Sequence, residues 1–216
     1  SLQPLIACTA ALNSAKVIWS NLLTEPCASN LNSTMPSSNN FTERLLPWNN
    51  MPTLLTLWTV IFNNFRAKNK WISGTENHTT VEDFYGACQT HKRETPHIFI
   101  KDEPELLLGK DKGANPVEYL LAGLAGCITT SLVAHAAARG VMINSIESTL
   151  EGDIDLQGLL QIDKSVNPGY QGINISFKIK SDASDEVLQE LIELAKNVSP
   201  VANTVSKPTS INVSLA

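Results

Sequence analysis

The chain has little cysteine, histidine or charge, and no long apolar run; each shortage removes a class of function. Four cysteines (Cys8, Cys27, Cys88 and Cys127) are spread through 216 residues, and none stands in a CxxC pair. The spacing of a structural zinc site or a thioredoxin-like motif is therefore missing. So wide a spacing in a chain of this length is not a disulfide framework, and reduced thiols in the cytoplasm are expected. Four histidines without clustered partners give no metal site, and no cofactor is expected. The net charge is −5, which offers no electrostatic attraction to nucleic acid or to an anionic membrane. The longest apolar run, Leu54 to Phe62, is broken by Thr56 and Thr59 and falls far short of the ~20 residues a membrane span needs. SLQPLIACTAALNSAK has no basic start before its apolar part, so it does not read as a secretory signal. N-x-S/T sequons recur at Asn32, Asn40, Asn77, Asn174, Asn197 and Asn212, but most read as chance in an Asn-rich chain.

Hydrophobic residues make up 43% and charged residues 17%, the texture of a globular chain long enough to bury a core without staples. Composition shifts near residue 65. Residues 1–65 form an N-terminal extension, helix-capable from Leu5 to Leu23 and then polar through TEPCASNLNSTMPSSNN. Met51 opens a further apolar segment, and two readings of what precedes it stand. It is either an accessory extension before a start at Met51, or a short helical arm that packs on the main domain.

From Lys68 the texture is that of strands. KNKWISGT and TTVEDFYGACQTH read as two strands with a turn at Gly74–Asn77, and PHIFIKD as a third, buried on both faces. His91 and His97 flank that strand as surface residues. EPELLLGKDKGA is a loop. The strongest helix signal runs from Asn115 to Arg139, with Asn115 as N-cap, Pro116 in first position and Glu118 completing a capping box. Arg139 and Gly140 close it. Its body is apolar almost all round, which predicts burial on most sides. Gly123 and Gly126 each cost about 1 kcal/mol relative to Ala inside a helix, which points to close approach of another backbone or a ligand. VMINSIESTLEGDIDL and INISFKIKSD alternate as strands, the second with Ile173, Ile175, Phe177 and Ile179 on one face. Ser184 to Asn197 is an amphipathic helix, Val201 to Val205 a short one, and SINVSL a closing strand. This order of elements is α+β.

GANPVEYLLAGLAGC and AKNVSPVANTV, with EGDID and GYQGINISFKIKSDAS between them, resemble the motifs of the OsmC-like family in order and spacing, over about residues 66–216. The resemblance implies antiparallel sheets wrapped around a long buried central helix, in an intertwined homodimer. It further implies thiol-dependent reduction of organic hydroperoxides. In that chemistry a reactive Cys attacks the O–O bond, a second Cys resolves the sulfenic acid as a disulfide, and an external thiol reduces it.

Carried over by position, the reactive Cys is Cys127, twelve residues after Asn115. The family's catalytic Glu falls on Val117. Glu118 follows it, ~900° around the helix from Cys127 and so on the opposite face. The resolving Cys falls on Ser199, which cannot form a disulfide, and also ends or caps a helix before Pro200. The activating Arg falls on the strand that ends at Lys101, a point charge without the guanidinium fork. Cys88 is the other thiol within the domain. His135 lies ~12 Å along the helix from Cys127, too far to serve it as a base. Two functions follow. One is a hydroperoxide reductase with the single reactive thiol Cys127 and an external thiol reductant. The other is a non-catalytic dimer that holds a small apolar ligand in an interface pocket. Burial of Cys127 as an inert small hydrophobe is the plain alternative to both.

Overall fold

The computed structural model describes residues 63–86 and 89–215. The helix-capable stretch from Leu5, the polar run, Met51 and Cys88 lie outside the described residues. The chain divides into two compact units, one ending at Glu118 and one beginning at Tyr119.

In the first unit, β1 (Asn64–Phe65), β2 (Lys68–Ser73), β3 (Glu76–Gly86) and β4 (Gln89–Lys101) form one antiparallel sheet. β1 and β2 pair with different stretches of β3, and β4 pairs along most of its length. β1 thus brings Asn64 and Phe65, expected in the extension, into the sheet. The third strand is longer than expected. Its ladder steps from Val81↔His97 to Asp83↔Lys92, so Arg93 to Pro96 bulge out on the β4 side. Pro96 has no N–H to donate, and a bulge is where a strand tolerates it. His91 and His97 sit inside β4 rather than beside it. His91 stacks on Phe84 at 4.8 Å and bonds to the Gly86 carbonyl at 3.0 Å. Burial on both faces does not hold for the chain alone: Ile98 is 64% exposed.

The loop after β4 is held by one buried carboxylate. Asp102 accepts from Thr75 Oγ1 at 2.6 Å and from the backbone N–H groups of Glu103, Lys110 and Lys112 at 2.9, 3.1 and 3.3 Å. Two glycines let the loop fold back this closely. A Cβ on Gly109 would stand 1.7 Å from the Glu103 carbonyl oxygen, and one on Gly113 2.3 Å from that of Ile100. Beside Asp102, buried Glu76 pairs with Lys112 at 2.6 Å and His78 at 2.9 Å.

Helix α1 (Pro116–Ala138) crosses from the first unit's last residues into the second. The second unit continues with β5 (Ile143–Ile154), a short α2 (Leu156–Leu159), β6 (Tyr170–Ser181), α3 (Asp185–Val198) and α4 (Pro200–Ser206). β5 and β6 are antiparallel, with Ile146 opposite Ile179 and Leu150 opposite Ile175. Their apolar faces pack on α1 through Leu124, Ile128 and Leu132, with Ala195 of α3 closing the cluster. Spacing of four residues places Leu124, Ile128, Leu132 and Ala136 on one stripe of α1, and all four are buried.

Three expectations are corrected here. Helix α1 is not buried on most sides within the chain. Leu120, one turn ahead of the buried stripe, and Val133, off it, remain exposed, and a Cβ on Gly123 or Gly126 would meet nothing within 4 Å. By length and composition alone α1 is also apolar enough to cross a membrane, so it outruns the Leu54–Phe62 segment as the longest such stretch. Its packed stripe is nevertheless that of a core helix. The closing strand SINVSL is not paired with any described residue either: Ile211, Val213 and Leu215 are 85, 90 and 102% exposed.

Candidate functional site around Cys127

Cys127 lies near the middle of α1, half-buried and free. It follows Gly126 and stands one turn before Ser131, whose hydroxyl donates to the Cys127 carbonyl at 2.9 Å. The preceding residue, Gly126, has an open surround, so the backbone beside the thiol is not covered by the chain's own side chains.

Glu118 is a helix cap. Its Oε2 accepts the Asn115 N–H at 2.8 Å, and its own N–H donates to Asn115 Oδ1 at 2.9 Å. This reciprocal box occupies the carboxylate at the positive end of the helix.

Ser199 is fully buried between α3 and α4. Its N–H donates to the Ala195 carbonyl at 2.9 Å, and its Oγ accepts from Ala202 N–H at 3.3 Å. Its carbonyl accepts from Asn203 N and Nδ2 at 3.0 and 2.9 Å. One residue thus ends α3 and caps α4, as Ser before Pro at the first helical position is suited to do. The elements carrying Cys127 and Ser199 share one core: Leu124 and Ile128 of α1 pack in the same cluster as Val201 and Ala202 of α4.

Lys101 closes β4. Its ammonium donates to Asn69 Oδ1 at 3.1 Å and to Thr79 Oγ1, and burial pushes its pKa down. The strand also holds an arginine, Arg93, because it starts at Gln89 rather than at the expected Pro96. Arg93 stacks its guanidinium 5.5 Å from the Phe84 ring centre, and its Nη1 is buried without a hydrogen-bond partner among the described residues. On α1, His135 has its Nδ1 buried and unpartnered among the described residues; burial, with Arg139 nearby, pushes its pKa down. Among the described residues, no group of three or more His, Cys, Asp or Glu could hold a metal ion.

Residues 109–214 match the model of the family described as OsmC-like protein. Over these residues, just under half of the chain, the sequence is similar to the OsmC-like family. A hydroperoxide reductase of Mycoplasma genitalium is 29% identical over 112 residues, 50% of this chain and 72% of that one. An OsmC-like protein of Mycoplasma pneumoniae has the same fold with a TM-score of 0.51 at 19% identity, over 66% of this chain and 87% of that one. An OsmC-like protein of unknown function from Vibrio cholerae gives 0.51 at 11% identity, over 65% and 92%. The α+β class with antiparallel sheets is therefore that of OsmC-like proteins.

Sequence reasoning passed over Asp102, Glu76 and Thr75, which organise the loop ahead of the OsmC-like central helix. The available signal was an acidic residue at a strand end followed by two glycines, Gly109 and Gly113. Thr75 and Glu76 lie a whole β-hairpin earlier, so no local pattern links them to Asp102.

Proposed function

We propose that this OsmC-like protein is a thiol-dependent hydroperoxide reductase in which Cys127 is the reacting thiol. The observation that carries the reading is a free, half-buried Cys127 on a helix face whose neighbouring glycines are uncovered. Matched relatives named hydroperoxide reductase support a redox or oxidative-stress role. The Cys127 thiolate attacks the outer peroxide oxygen and the O–O bond breaks. The departing alkoxide takes a proton and leaves as an alcohol, with sulfur oxidised by two electrons to sulfenic acid. Ser199 cannot condense with it. An external thiol does so instead, releasing water and leaving a mixed disulfide on Cys127; a second thiol frees Cys127 and departs in a disulfide with the first. Such a cycle suits a reducing compartment, the cytoplasm.

The working form is a homodimer. Leu120 and Val133 on α1, and separately Ile98 and Phe99 on β4, are large apolar side chains left uncovered in the single chain. Large apolar side chains left exposed on both elements are available to a second copy, which supports the dimer reading.

The test is direct. The protein is treated with cumene hydroperoxide, sulfenic acid is trapped with a dimedone-type probe, and peroxide loss is followed with a dithiol. Labelling at Cys127 and turnover lost in Cys127→Ala are expected. No labelling, with equal turnover in both proteins, overturns the reading. Light scattering on the same sample checks the dimer, and a monomer at micromolar concentration excludes it.

A further inference from the structure

Helices α1, α3 and α4 and strand β6 of the second unit line an open cleft of ≈ 380 Å³. Its floor is aliphatic, built from Leu124 and Ile128 of α1 and Ile173 and Ile175 of β6. Its rim carries two cations, Lys196 and Lys207. Protein interiors are close-packed, and an apolar hollow of this size is in the range of small-molecule sites. The rim charge runs against a chain whose net charge is −5. Lys207 Nζ donates to Asn203 Oδ1, a neutral amide, and among the described residues no carboxylate pairs with it. Lys196 pairs with Glu193 at 2.9 Å on the exposed surface, where such a pair contributes little and exchanges readily. Aliphatic floor and cationic rim together select a molecule with a hydrocarbon body and one anionic end.

We propose that this cleft binds a small amphiphilic anion, an aliphatic chain ending in a carboxylate. The hydrocarbon covers the leucine and isoleucines of the floor, and the carboxylate meets the Lys207 ammonium at the rim. Neither Cys127 nor Ser199 lines the cleft, so the site goes beyond the thiol chemistry and is independent of it. Each added methylene on the ligand tightens binding about fourfold. The contribution of the rim weakens as salt screens the exposed lysines.

The probes are octanoate, decanoate and decanol, titrated calorimetrically into the full chain carrying Cys127→Ser. Removing the thiol keeps a failure of this proposal separate from a failure of the reductase reading. Saturable decanoate binding is expected, about tenfold or more tighter than octanoate and at least about tenfold tighter than decanol. Lys207→Glu, a change at an exposed position, lowers decanoate affinity about tenfold and leaves decanol unaffected. Val205→Trp, which fills the cleft from its wall, abolishes binding of both probes while the far-ultraviolet spectrum stays that of the parent. The absence of saturation by decanoate overturns the proposal. Equal affinity for decanoate and decanol overturns it as well, and so does a Lys207→Glu protein that binds decanoate unchanged.

Discussion

Asn115 and Glu118 clasp each other at the start of the central helix, Asn115 Oδ1 on the Glu118 N–H at 2.9 Å and Glu118 Oε2 on the Asn115 N–H at 2.8 Å. Each side chain satisfies a backbone donor that the first helical turn leaves open. The clasp makes Glu118 a structural residue. Asn115→Ala is expected to cost about 1 kcal/mol in denaturant unfolding, the usual loss for an N-cap. Glu118→Ala is expected to lower the melting temperature while leaving peroxide turnover near the parent value. A collapse of turnover with unchanged stability would instead give Glu118 a part in the chemistry.

Ser199 is judged in the same way. Its hydroxyl caps α4 and its backbone ends α3. Ser199→Ala should destabilise the protein by about 1 kcal/mol and leave the rate of Cys127 oxidation unaltered. Stopped-flow oxidation of Cys127, read beside thermal melting, separates the two effects.

The loop clasp predicts a pH dependence. The Thr75 hydroxyl, followed by three backbone N–H groups, holds the Asp102 carboxyl below its ordinary range against the opposing effect of burial. Lys112, and after it His78, does the same for Glu76. A carboxyl whose pKa is lowered on folding adds stability above its unfolded pKa. That stability is lost as pH falls through the lowered folded value. Protection of the Lys110 and Lys112 amides against hydrogen exchange should therefore be flat near neutrality and fall in acid, below the ordinary carboxylate range of about 4. In Asp102→Asn the protection is reduced already at neutral pH. Protection that stays constant into strong acid would remove Asp102 from this role.

The core stripe gives a prediction of larger size. Leu132 is fully buried in the cluster under β5 and β6. Leu132→Ala leaves a cavity and should cost about 2–5 kcal/mol. Leu120→Ala, at an exposed position on the same helix, should change monomer stability by no more than about 0.5 kcal/mol. If the exposed face of α1 is the dimer contact, Leu120→Ala weakens association instead, which sedimentation of a dilution series will show.

Several elements were legible from residues alone. The box at Asn115–Glu118, the helix end at Gly140 with its φ of +71°, and the alternation along β6 are local patterns, set by neighbours three or four positions away or by every second residue. The full length of β4 was not legible. Pro96 ends a strand pattern when read locally, and only the ladder to β3 shows that the chain bulges there and continues pairing to Gln89. The missed Arg93 follows from that same misplaced end. SINVSL failed in the opposite sense: its alternation suits a strand, but alternation supplies no partner edge, and none among the described residues is paired with it.

The sequence by itself determined the second unit's long helices and its two strands, the place of Cys127 on the central helix and the OsmC-like resemblance, because these rest on short-range periodicity and motif order; the short α2 was read as part of a connection. Only tertiary structure decided that Ser199 is a buried cap, that Asp102 gathers a ten-residue loop, and that two lysines share the rim of one apolar cleft. Those relationships join residues far apart in the chain. Long-range contacts are set by how faces pack, which no local pattern records.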